Sequence, residues 1–93
     1  MSSGDALSFP TISADVALNH TWVDFIKIDV EEMEMDALNS LENTIARCRP
    51  TIFVEVFYYN QDGFAKWHHE HKYAVAATTK RYDMNVNYLL VPS

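Results

Sequence analysis

The sequence predicts a mixed α/β domain in the order strand–helix–strand–helix–strand–strand, with parallel strands first and an antiparallel hairpin last. Three observations carry that prediction. Residues 23–30 and 51–57 are near-continuous apolar runs rich in β-branched and aromatic residues, as strands covered on both faces show. Between them Met35, Leu38, Leu41, Ile45 and Cys48 recur at three- and four-residue spacing, which is one stripe of an α-helix. A helix linking two strands of one sheet in this way makes those strands parallel. Residues 73–78 and 88–91 then read as two further strands around a polar turn at 83–85.

Residues 1–8 read as a flexible lead and 9–93 as one domain. Phe9 to Ser13 is expected to be a short extended piece. Ser13, Ala14 and Asp15 suit the cap of a brief helical turn through Leu18, and Asn19-His20-Thr21 is turn-like. In the crossover helix, acids crowd the first turn while Arg47 and Arg49 stand at the end. Both placements complement the helix dipole. Pro50 cannot continue the helix and marks the exit into the second strand. Asn60 to Gly63 reads as a loop, Phe64 to His71 as a short helix with Phe64 and Trp67 inward, and Lys80-Arg81-Tyr82 as a turn.

Composition narrows the function classes. The 93 residues suffice for one domain, and 48% hydrophobic residues with 5 Tyr, 5 Phe and 2 Trp describe a packed core rather than a disordered chain. A net charge of −6 argues against nucleic acid or an anionic membrane surface as partner, since both need basic patches. No apolar run approaches the roughly 20 residues that span a bilayer. The first residues lack the basic and apolar segments of a secretory signal. Cys48 has no second cysteine with which to form an internal disulfide. The expectation is a soluble cytoplasmic domain.

Ile26-Lys27-Ile28-Asp29-Val30-Glu31 opens a more specific pattern. It resembles the C-terminal half of the FkbM-type S-adenosylmethionine-dependent methyltransferases, whose signature runs approximately I-K-I-D-V-E-G-x-E-x-x-V-L-x-G-A, then a helix, R-P and a strand containing Glu. Glu34, Leu38, Ile45, Arg49-Pro50 and Glu55 match it as well, and Asn87 to Pro92 resembles the family's last strand. Thr11-Ile12 and Asp15 resemble the T-L-D-x-L piece before the signature. Two positions depart: the glycine after V-E is Glu32, and the later G-A pair is Ser40-Leu41. If that glycine has positive φ, Glu32 strains or reshapes the loop.

The resemblance implies part of a class I methyltransferase, Rossmann-like sheet, with S-adenosylmethionine as cofactor and O-methylation of a sugar or other hydroxyl as the chemistry. Such enzymes hold the cofactor across the carboxyl ends of the first four strands, against a Gly-rich turn. This chain has two glycines, Gly4 and Gly63, and no G-x-G. By correspondence it starts just before the fourth strand and carries at most one wall of the cofactor site. The expected consequences are little activity alone, and pairing of the exposed first strand with a second copy or a complementing N-terminal half. The competing reading is a non-enzymatic α/β module that self-associates or binds a protein partner.

Asp29, Glu31, Glu32, Glu34 and Asp36 put five acids in eight residues. Asp29 and Glu31 are the candidate catalytic pair, and Asp29 is also the candidate cofactor contact. A carboxylate at a strand's carboxyl end can orient or deprotonate a hydroxyl for attack on a methyl carbon. The alternative for all five is solvated acid at a helix N-terminus. Glu55, an acid inside an apolar strand, needs a partner or a function. It is the third catalytic candidate, with pairing to Lys27, Arg49 or a backbone donor as the alternative. No metal is expected: the acids lack the Asp-x-Asp-x-Asp-Gly spacing of a calcium loop, and His68 and His71 share a helix face without a third ligand.

Overall fold

The computed structural model describes residues 14–30, 32–82 and 85–93. The expected lead, the extended piece at Phe9 to Ser13, the candidate Glu31 and most of the last turn lie outside those residues. In chain order the elements are α1 (Ala14–Ala17), β1 (Phe25–Ile28), α2 (Glu34–Ser40), α3 (Glu42–Cys48) and β2 (Thr51–Phe57). A 3₁₀ turn (Tyr58–Asn60), α4 (Gln61–Glu70), β3 (Tyr73–Tyr82) and β4 (Asn85–Pro92) follow.

The sheet order is β1-β2-β4-β3. β1 and β2 are parallel, as the crossover requires, while β4 runs antiparallel to both neighbours. The last strand is therefore inserted between β2 and β3. Ile52, Val54 and Val56 of β2 are fully buried and alternate with half-buried Phe53, Glu55 and Phe57. Ile26 and Ile28 continue the buried row on β1 and Leu90 on β4, against Leu38, Leu41 and Ile45 of the crossover and Phe64 and Trp67 of α4.

That single cluster corrects the expectation of a sheet covered on both faces. Among the described residues, the helices that pack on it lie on one side. On the other, Phe25 is 55% exposed and Lys27 is exposed. β1 is also only four residues long, shorter than the eight-residue apolar run.

The crossover is two helices rather than one. Leu41 leaves helical geometry (φ −109°, ψ 13°), and its N–H bonds back to Leu38 O, three residues away. Ser40 Oγ donates to Ala37 O at 2.8 Å, a side-chain bond that competes with helix continuation. α3 then starts afresh under a remote cap. The Asp15 carboxylate accepts from Asn43 N at 2.8 Å and Thr44 N at 2.9 Å. Asp15 thus serves a helix 28 residues on rather than only its own turn.

Arg49 closes α3 in left-handed geometry, φ 48°. Its guanidinium donates to His71 O and Lys72 O and lies 4.6 Å over the Tyr73 ring, tying the crossover's end to the turn before β3. Two other expectations need correction. Of the expected 60–63 loop, Asn60 ends the 3₁₀ turn and 61–63 start α4, which takes in Gly63, and Lys80 to Tyr82 extend β3 through pairing of Lys80 with Val86 and Tyr82 with Asn85. No helix among the described residues is long and apolar enough to cross a membrane.

Candidate functional site

β1 ends opposite Val54, three residues before the end of its parallel neighbour β2, and the chain leaves β1 into the acidic loop there. The register sets Lys27 beside Phe53 and Ile28 beside Val54, so the next step brings Asp29 to the level of Glu55. By alternation both fall on the uncovered face. Asp29 is exposed just past the strand, and Glu55 is half-buried, its Oε2 accepting from Asn85 Nδ2. Of the three catalytic candidates, Asp29 thus follows directly on Ile28 of the last β1–β2 pair and Glu55 on its partner Val54. Arg49, a proposed partner for Glu55, is instead occupied with the His71 and Lys72 carbonyls.

The loop after Asp29 is held by strain and by one buried acid. Glu32 has φ 65°, left-handed backbone where glycine is the least costly residue. Glu34 opens α2 and is fully buried. Its Oε2 accepts from Phe57 N and Asn60 Nδ2, both at 2.8 Å. Its Oε1 is buried without a hydrogen-bond partner. This carboxylate clamps the end of β2 and the following turn onto the start of the crossover.

The clamped turn displays aromatic rings. Tyr58 and Tyr59 are 59% and 51% exposed and meet edge to face at 5.1 Å, with Phe57 6.0 Å from Tyr59. The Tyr59 phenol is pushed up to about 12, first by desolvation, then by its hydrogen bond to Glu32 and the fields of Glu32 and Glu34. It stays neutral, and a donor, through the physiological range.

Glu34 had been one acid among five; its clamping role was not foreseen, and neither was the tyrosine pair. The signals were present: Glu34 is the third acid of the matched motif, and Tyr58-Tyr59-Asn60 directly follows an apolar strand.

Elsewhere the polar groups serve packing. His68 donates Nδ1–H to Tyr73 O at 3.0 Å and His71 to Trp67 O at 2.8 Å, with the His71 ring stacked on Trp67 at 4.3 Å. Cys48 is buried, accepting from Val23 N and donating to Thr21 O. A concavity of about 220 Å³ lies between α1 and α3, lined by Asp15, Asn19, Thr44 and Arg47 among others.

A family model of the methyltransferase FkbM domain matches residues 5–84. The chain belongs to the FkbM methyltransferase family. The match spans the whole crossover and extends through β3. No curated protein and no solved structure is significantly similar to the chain. Within this FkbM domain, the departure at Glu32 falls on a left-handed position of the acidic loop, where a glycine would be unstrained.

Proposed function

We propose that the carboxyl ends of β1 and β2 form one wall of an S-adenosylmethionine site in a class I, Rossmann-like methyltransferase domain. The observation that carries this reading is the parallel β1–β2 register, in which Asp29 and Glu55 each follow directly on the pair Ile28 and Val54. Crevices outside the carboxyl ends of parallel strands are where open α/β sheets bind ligands. The sheet order supports it too, with a last antiparallel strand slotted between β2 and β3.

The residues suit the group. Asp29 and Glu32 are exposed carboxylates, and Glu32 is hydrogen-bonded to exposed Tyr59, a surface that favours a cationic sulfonium over an anion. Asp29 would accept hydrogen bonds from cofactor hydroxyls or from the acceptor. Bound there, the cofactor supplies an electrophilic methyl group for transfer to a hydroxyl. Asp29 then orients that hydroxyl and takes up its proton. Glu55, fixed by Asn85, adds negative charge beneath it. Glu31 follows two residues after Asp29 and is the remaining candidate base.

The 93 residues contain no Gly-rich cofactor turn, so this wall alone binds weakly and transfers little methyl. Partly buried Phe53 and exposed Phe25 on the open face suit packing by further protein. A lone buried thiol fits a reducing cytoplasmic setting. Calorimetric titration with S-adenosylmethionine tests the reading: weak saturable binding that drops several-fold in Asp29→Asn is expected. Binding unchanged by Asp29→Asn, or none at millimolar cofactor, would reject it. The second reading, a self-associating module, is favoured by the two open sheet edges.

A further inference from the structure

We propose that the free edge of β3 is a dimerisation strand that pairs antiparallel with β3 of a second copy about a two-fold axis at Thr78. This does not depend on methyl transfer, and it names an edge other than β1.

Two edges close the described sheet, β1 and β3, and they differ. Exposed edges invite pairing unless they are short or charged. β1 has four residues, carries Lys27 and is flanked by Asp24 and Asp29. β3 has ten, and residues 73–79 hold no charge. Every residue from Ala74 to Lys80 is exposed, so the strand projects beyond the helical layer. Its small side chains let another backbone approach.

Charge selects the occupant. Of 13 acidic residues only Asp83 falls in residues 73–93, which also carry Lys80 and Arg81. The hairpin is thus slightly positive while the rest of the chain carries the negative charge. Among symmetric contacts between two copies of net −6, hairpin to hairpin brings the least like charge together, whereas β1 to β1 would set the acidic loops against each other.

Register follows from the strand's irregularities. Pairing with β4 shifts between Val75 and Ala77 and again between Lys80 and Tyr82, leaving Ala77 to Lys80 regular. Facing residues of two identical strands share a sheet face, so the axis falls at a residue. Placed at Thr78, within that segment, it sets Thr78 opposite Thr78 of the second copy and Ala77 opposite Thr79. Cross-strand Thr pairs are favourable. The two Lys80 side chains then stand four residues apart along the ladder, about 13 Å at 3.3 Å per residue, where salt screens them.

Sedimentation equilibrium of the full chain is the test, with circular dichroism to verify folding. The wild type should show a two-chain mass at high micromolar concentration. The variant Thr78→Lys, which sets lysine opposite lysine at the axis, should dissociate at least tenfold more readily, whereas Phe25→Lys on β1 should leave the mass unchanged. A one-chain wild type overturns the proposal. So does dissociation by Phe25→Lys but not by the β3 variant, or a mass climbing past two chains, which would mark head-to-tail pairing of β1 to β3.

Discussion

Replacing Glu34 tests whether one buried carboxylate builds the candidate site. It is fully buried, and its Oε2 holds Phe57 N–H and Asn60 Nδ2, both at 2.8 Å. Hydrogen bonds to a charged group contribute about 1.5–3 kcal/mol each, so Glu34→Ala forfeits about 3–6 kcal/mol. Against that, Oε1 is buried without a partner, and removing it recovers about 1–3 kcal/mol. The expected net loss is about 2–3 kcal/mol, or roughly 10–20 °C in Tm for a domain of this size. Glu34→Gln keeps the shape, and its amide oxygen can accept both bonds, so its cost should stay within about 1 kcal/mol. Urea unfolding with matched m-values reads the difference. Amide exchange at Tyr58 to Asn60 should quicken in Glu34→Ala before global unfolding. An alanine variant within about 0.5 kcal/mol of wild type, or a glutamine variant as costly as alanine, would refute the clamp.

Three further outcomes follow from the same geometry. Glu32→Gly should stabilise the domain by about 0.5–1 kcal/mol, because glycine occupies left-handed backbone without penalty. NMR of the ring protons against pH should show the Tyr59 phenol falling from about 12 while remaining raised, since desolvation is the larger cause; unchanged stability and titration would contradict the loop's description. Gly63 lies in α4 with nothing within 4 Å of where a Cβ would stand, so Gly63→Ala should add about 0.5–1 kcal/mol in the same unfolding assay, and a loss would show that α4 does not start there. Tyr73 is buried with its phenol raised to about 12, by desolvation first, with Arg49 partly opposing. The fold favours the neutral phenol, so that stability is intact below pH 10 and is lost as pH rises through about 12. Tyr73→Phe should flatten that alkaline slope, while costing about 1–2 kcal/mol at neutral pH through the lost bond to the buried Pro50 carbonyl; an equally steep slope would assign it to other groups.

Local patterning carried most of the architecture. The apolar run at Ile52 to Val56, the stripe from Leu38 to Cys48 and the Pro50 stop are all within-element signals, and each element formed near its expected place. What was illegible depends on partners far along the chain. The break at Leu41 leans on Asp15, 28 and 29 residues from the amides it caps. The role of Glu34 depends on Phe57 and Asn60, 23 and 26 residues away. The uncovered sheet face could not be read from β1, because Phe25 looks as apolar as Ile26 while only the latter meets the helices. Charge spacing located the acidic loop, yet only the β1–β2 register set Asp29 level with Glu55.

The most direct test of the central claim is an amide-resonance NMR titration of the chain with S-adenosylmethionine. The account predicts saturable shifts confined to Asp29, Glu32 to Glu34 and Phe57 to Asn60, at the carboxyl ends of β1 and β2. Shifts gathered instead in the concavity between α1 and α3, or a folded spectrum that does not move at all, would contradict it.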